Sequence, residues 1–247
     1  REPLRAWLAE HREDADADFV FRSWLEAGGE RELVWDAALA WLARHRLEES
    51  AVYVTKFIAR QRDLPATAIG DVLAWCRTFP GSEDAVWRLT QLGQNLFVEG
   101  LEEDVLLTAE VVFDHLLTPS SDIKIVTRGQ VTALLSYLVE SYGMQFGAIR
   151  ERVDLLLIRW LRHPMSFGNS PRPHPAVQRV TFLKRLSALM ATGALELGND
   201  REALQRFLRW VNAWDLAWKE RATPVLEELR SNYPAPELWD IVRYYGS

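Results

Sequence analysis

The sequence predicts an all-α fold, a right-handed α-solenoid of stacked helix–turn–helix repeats. Three observations predict it. The first is a gapless period of 34 residues, in which "LRAWLAEHRE" near the start returns as "LAWLARHRLE" and, more loosely, as "LAWCRTFPGS". The second is the helical spacing of apolar residues within each copy. The third is the set of glycine- and proline-bearing turns that separate the helical stretches. Self-similarity at a period of about 20–50 residues marks solenoids and arrays. One two-helix unit cannot bury both of its apolar faces, and stacked neighbours do it instead.

Alignment of the copies puts Trp7, Trp41 and Trp75 at one position. His11, His45 and Phe79 follow, then Ala17, Ala51 and Ala85, then Phe19, Tyr53 and Trp87, then Val20, Val54 and Arg88. Taken in order, the first helix, "EPLRAWLAEH", matches the second helix of a unit. The array is therefore cut mid-repeat or begins with a half-unit cap, and with no initiator Met the chain reads as trimmed or as a piece of a longer protein. The acidic run "EHREDADAD" (10–18) reads as a solvated connector. In "FVFRSWLEAGG", Phe21, Trp24 and Leu25 share a face, and Gly28-Gly29 stops the helix because glycine tolerates the left-handed conformation at a helix end. In "ERELVWDAALAWLARH", Val34, Ala37, Ala38, Trp41 and Leu42 recur at helical spacing, widened by Leu39.

Further helix pairs are expected at about 49–62 and 66–79, 83–98 and 101–117, 129–142 and 146–163, and 175–195 and 200–213. A helix near 214–230 and a short one near 236–244 would cap the row. "LEEDVLLTAEVVFDHLL" carries a stripe wide enough for burial on two sides, and "RWLRH" repeats the earlier ending as Trp160, Leu161, Arg162 and His163. Two Pro/Ser/Gly-rich loops, 118–129 and 163–175, interrupt the rows. The organisation expected is one α-solenoid domain over 1–247, regular over 1–117 and more divergent, with a C-terminal cap, over 118–247.

Composition fits this architecture. At 48% hydrophobic and 26% charged, the 247 residues are globular in character. No apolar run reaches the roughly 18 residues of a membrane span, and there is no signal-peptide pattern. The single cysteine, Cys76, falls where the other copies carry Leu8 and Leu42, so it reads as a small buried hydrophobe. It cannot form an internal disulfide, which points to a reducing, cytoplasmic setting. The excess of Arg over Lys points to a bacterial source. Net charge is −6, but residues 1–117 hold 12 basic and 22 acidic groups and residues 118–247 hold 17 and 13. The acidic total argues against non-specific nucleic-acid binding. The opposite signs of the halves suggest head-to-tail self-association.

Motifs for chemistry are absent from the sequence: no glycine-rich phosphate loop, no CxxC, no HExxH. The five histidines are scattered; His45, His115 and His163 fall at or near the ends of second helices, where they would meet the helix dipole and cap free carbonyls. The expectation is a protein that is not an enzyme and holds no cofactor or metal. Eleven tryptophans offer contact area instead. Trp7, Trp41 and Trp75 follow the period and read as core. Trp210, Trp214 and Trp218 are spaced four apart, so one continuous helix would line them up as a stripe, partly core and partly a binding strip. A helix start at "NAWD" would break that stripe. The candidate partner contacts are Trp35, Arg128, Arg172, His174, Trp210, Trp214 and Trp218.

Residues Trp24-Leu25, Gly28, Gly29, Trp41-Leu42, His45 and Ala51 carry a resemblance. Over about 1–100 the chain resembles the helical repeats of large bacterial proteins that bear an effector or a STAND-type NTPase domain. The resemblance implies a recognition array in a conflict or immune-type system. The 34-residue period equals that of tetratricopeptide repeats, but the Gly, Tyr, Ala and Pro positions of that signature do not line up. The class is therefore a HEAT- or TPR-like array.

The first functional reading is a protein-interaction or ligand-sensing array, its partner another protein or another domain of the same polypeptide. The second is nucleic-acid binding. The chain resembles HEAT-like DNA glycosylases in size, helicity and aromatic content, with Arg128, Arg150, Arg152, Arg159, Arg162, Arg172, Arg179, Lys184 and Arg185 as a groove and Trp214–Asp215 as an aromatic–carboxylate pair. The third is a purely structural scaffold.

Overall fold

The computed structural model describes residues 2–95, 100–118, 123–142, 147–167, 180–191 and 197–232. Among them the chain is all-α, with twelve α-helices and no strand. No helix among the described residues is long and apolar enough to cross a membrane. The chain divides into two compact units, Arg1–Val112 and Phe113–Ser247.

The first unit holds α1 (Glu2–His11), α2 (Ala17–Glu26), α3 (Trp35–His45), α4 (Val52–Ala59), α5 (Ala66–Thr78), α6 (Glu83–Gln91) and most of α7 (Glu102–Leu116). Helices two apart in the chain pack together: α2 on α4, α4 on α6, and α3 on α5. Neighbours close the space between them, α3 against α2 and α4, and α5 against α4 and α6. The core is made of the residues that the helical spacing selects, among them Phe21, Trp41, Leu42, Val54, Ile58, Ile69, Leu73, Trp75 and Leu89. Cys76 is wholly buried among them, and burial pushes its thiol up to about 12, so it is packing material.

Within the first unit, the junction between successive helix pairs is built the same way more than once. The Trp41 indole N–H donates to the Asp14 carbonyl at 2.8 Å, and the Trp75 indole N–H donates to the Glu48 carbonyl at 3.1 Å. The donors are 34 residues apart, and so are the acceptors. Each Trp also meets the ring four residues on: Trp7–His11 at 5.1 Å, Trp41–His45 at 4.4 Å, Trp75–Phe79 at 5.5 Å. The turn that follows closes with Ala17, Ala51 and Ala85 donating to the carbonyls of Asp14, Glu48 and Ser82. A buried indole N–H needs an acceptor, and the turn carbonyl of the preceding junction supplies it.

Arg88 departs from the aligned valines yet is also buried. It donates to the Asp84 carboxylate at 2.9 Å and to the Val52 carbonyl at 3.2 Å, so α6 is tied to α4 by a charge-assisted bond.

The second unit holds the end of α7 and α8 (Ile125–Tyr142), α9 (Ala148–Arg162), α10 (Val180–Ala191), α11 (Leu197–Asn212) and α12 (Leu216–Asn232). It shows the same alternation: α8 packs on α10 and α10 on α12, while α9 packs on α11. Two polar ties recur to α9. Arg185 grips the Asp154 carboxylate through both of its forked nitrogens, Nε at 2.7 Å from Oδ1. Arg206 donates to the Leu161 carbonyl and the Ser166 hydroxyl, each at 2.9 Å, capping the C-terminal end of α9. His163 accepts from the Met165 backbone N–H on Nδ1 at 3.1 Å, which leaves Nε2–H to donate to the Thr118 carbonyl at 3.2 Å. Burial, opposed by the Thr118 bond and joined by the Arg206, Arg128 and Arg159 charges, lowers its pKa.

Several expected bounds shift. α8 begins at Ile125 rather than 129, inside the stretch expected as loop. Buried Ile123 and Thr127 and the Arg128 bond to the Ile123 carbonyl at 2.8 Å draw the "KIVTRG" segment into the fold, overriding its weak helix propensity. α4 and α6 are shorter than expected because each is continued by a single 3-10 turn, at Glu49–Ala51 and Leu92–Gln94. The expected short helix at 236–244 and most of the 163–175 loop lie outside the described residues.

Candidate interaction surface

An α-helix advances about 100° per residue, so a position two away from a core residue points to the opposite side. Ala17 and Phe21 are core in α2, Ala51 and Thr55 at α4, and Ala85 and Leu89 in α6. The residues midway between them are Phe19, Tyr53 and Trp87, and they face outward. Phe19 is 65% exposed, Tyr53 42%, and Trp87 is half-buried. Because α2, α4 and α6 pack in sequence, these aromatics stand as a ladder of three rungs, one per helix.

Cations stand beside the rungs. Arg22, one turn on from Phe19, lays its guanidinium over the Tyr53 ring at 4.3 Å while pairing with Glu26 at 3.3 Å. Lys56 occupies the equivalent place on α4, 34 residues later. It makes no ion pair or ring contact among the described residues, nor does the Trp87 indole N–H make a hydrogen bond there. By contrast, the indoles of Trp24, Trp41, Trp75 and Trp160 each donate to an oxygen. The ladder thus offers apolar area, positive charge and an idle donor on a single face.

The residues named from sequence fall elsewhere. Trp35 opens α3, half-buried, with the Arg31 guanidinium 3.7 Å above its ring; Arg31 is held in turn by Gln61 at 3.0 Å. Arg128 is half-buried, its Nε spent on Ile123 and its NH2 against the Met165 sulfur at 3.7 Å. Arg172 and His174 lie outside the described residues, as does the side chain of Trp218. Trp210 and Trp214 are only 4% exposed. No continuous helix lines them up, because α11 ends at Asn212 and α12 starts at Leu216, close to the expected bounds of 213 and 214. Trp210 stacks on Phe167 at 4.7 Å and meets Trp214 edge-on at 4.7 Å, so both rings are core and form no exposed strip. The Trp214 indole N–H is buried and meets no acceptor among the described residues.

The arginines of the nucleic-acid reading do not stand as one free set. Arg159 pairs with Asp114 and Arg185 with Asp154. Trp214 lies inside while Asp215 is exposed, so the two do not flank an open recess. Among the described residues no group of three or more His, Cys, Asp or Glu is placed to hold a metal ion.

Sequence reasoning aligned Phe19, Tyr53 and Trp87 but did not name them as contacts. The signal was there: an aromatic recurring midway between aligned core positions has no place in the core. No family model, curated protein or solved structure matches the chain.

Proposed function

We propose that this chain is a non-catalytic interaction array, a HEAT- or TPR-like α-solenoid segment of a larger bacterial protein, that binds a protein partner or another domain of its own polypeptide. The single observation that carries the reading is the Phe19–Tyr53–Trp87 ladder. Exposed aromatics at one repeated position on consecutively packed helices make a continuous contact surface, and aromatics dominate the energetics of such surfaces. The alternation of packing in both units is what stacked helix pairs produce, and stacking is how such arrays extend a binding face.

The nucleic-acid reading is weaker, since Arg159 and Arg185 are taken up by carboxylates and the acidic total opposes phosphate binding. A purely structural scaffold has no use for a recurring aromatic row, exposed at Phe19 and Tyr53, beside a lysine that has no ion pair among the described residues. The test is affinity capture from native lysate with wild-type protein and with a Phe19→Ser/Tyr53→Ser variant, read by quantitative mass spectrometry. The array reading expects a salt-resistant protein partner that the variant loses. Identical capture by both proteins would sink it, and nucleic acid released by salt would favour the second reading.

A further inference from the structure

The occupant of the ladder can be narrowed by its spacing, its charge and its idle donors. This step rests on the interaction-array reading and concerns the same surface. Packed helices lie about 8–10 Å apart, so the rungs repeat at about that distance. A polyproline-II-like chain advances about 3.1 Å per residue with three residues per turn, so every third side chain recurs on one face at about 9 Å. One apolar side chain per rung is then the natural register of an extended segment.

Two donors favour an extended backbone over a helix. The Trp87 indole N–H has no hydrogen-bond partner among the described residues, and neither does the Tyr53 hydroxyl. A helix uses its carbonyls internally, whereas an extended chain leaves them free to accept. Charge selects the composition. Arg22 and Lys56 stand at the equivalent place on successive helices, one turn beyond Phe19 and Tyr53. Lys56 has no carboxylate partner among the described residues. Arg60, one further turn along α4, is also exposed and unpaired among them. Carboxylates between the apolar side chains of the ligand would meet this edge.

We propose that the Phe19–Tyr53–Trp87 ladder, with Lys56 and Arg60, binds an extended acidic peptide segment carrying an apolar side chain at every third residue. The ligand's apolar side chains seat against the rungs. Its carboxylates meet Lys56 and Arg60, Arg22 being already paired with Glu26, and its carbonyls accept from Trp87 and Tyr53.

The experiment is fluorescence anisotropy on the full chain with three labelled synthetic peptides. One has Leu at every third position and Glu or Asp between. The second has Lys in place of each acidic residue. The third has the acidic composition with its Leu residues clustered. The acidic, spaced peptide is expected to bind best, and more weakly as salt rises from about 0.05 to about 0.5 M. Lys56→Glu and Tyr53→Ser are each expected to weaken it about tenfold or more, the loss typical of a central contact. Trp87→Phe, which keeps the ring and removes the donor, is expected to cost less. Tyr53 is exposed and Lys56 half-buried, and circular dichroism checks that the variants fold. Equal binding of the basic or clustered peptide, binding unaffected by Tyr53→Ser, or no binding of any peptide would overturn the proposal. If the peptides fail while the Phe19→Ser/Tyr53→Ser variant still loses its native partner, this inference falls and the array reading stands.

Discussion

Single side chains decide how one helix pair is locked to the next. Trp75 is 1% exposed and gives its only N–H to the Glu48 carbonyl. Trp75→Phe keeps an aromatic ring but removes the donor and part of the volume. A lost buried hydrogen bond and a partial cavity together cost about 1–3 kcal/mol. The expected outcome is a lower urea midpoint with an unchanged slope, and an unchanged midpoint would show that the recurring Trp–carbonyl bond is dispensable. His163 makes a second test, through pH. Its folded pKa lies below the ordinary imidazole value of about 6.5 because burial disfavours the charged ring. The unfolded state therefore binds more protons just below that value. The stability that His163 contributes is complete above about pH 6.5 and is lost as pH falls through the folded pKa. Urea midpoints of the wild type and of His163→Gln, measured at about pH 7.5 and 5, should show a smaller loss on acidification in the variant. Equal losses would place the acid sensitivity on other groups.

At the scale of the element, helix ends show what can be read from sequence and what cannot. Gly28-Gly29 reads as a stop, and α2 does end at Glu26, with Gly28 at φ +74°. Gly29 N–H bonds the Trp24 carbonyl and Gly28 N–H the Leu25 carbonyl, the paired closure of a Schellman motif. The second glycine serves a purpose that the sequence hides. A Cβ on Gly29 would overlap the Trp24 indole, which is pinned there by its bond to the Glu30 carbonyl at 2.9 Å. Gly28→Ala is expected to cost about 1 kcal/mol through backbone strain. Gly29→Ala, by overpacking, should cost about 1–3 kcal/mol. Chemical denaturation of the two variants checks the order, and a harmless Gly29→Ala would mean that Trp24 swings away freely. The core faces of α2, α3 and α5 were legible because periodicity and burial are the same fact seen twice. The exposed ladder was half legible: alignment revealed the recurring aromatic, but its exposure depends on which neighbours cover it. Arg88 was not legible, because its acceptor is a carbonyl on α4 that only the packing brings near. The break between α11 and α12 was legible to within two residues, but the burial of its tryptophans was a matter of context, since it depends on Trp210 finding Phe167 and Trp214 finding Trp210.

For the whole molecule the organising quantity is charge. Residues 1–117 carry 12 basic and 22 acidic groups, net −10, while 118–247 carry 17 and 13, net +4. Segments of opposite sign on different copies attract each other, and a contact between two unlike surfaces is heterologous and need not close on itself. The attraction acts through solvent and is screened over about 30 Å at 0.01 M salt but about 3 Å at 1 M. Sedimentation velocity over a range of protein concentrations is therefore expected to show growing species at the low ionic strength and a single one at the high. Charge reversal on an exposed acidic site of the first segment, such as Glu13→Lys with Asp14→Lys, should reduce association at low salt, although Glu13→Lys also cuts the Glu13–Arg44 pair. A monomer at both ionic strengths would remove self-association and leave the aromatic ladder as the one contact surface proposed. Association that persists at high salt would instead assign the contact to apolar area, and the Phe19→Ser/Tyr53→Ser variant would then decide whether the ladder itself supplies it.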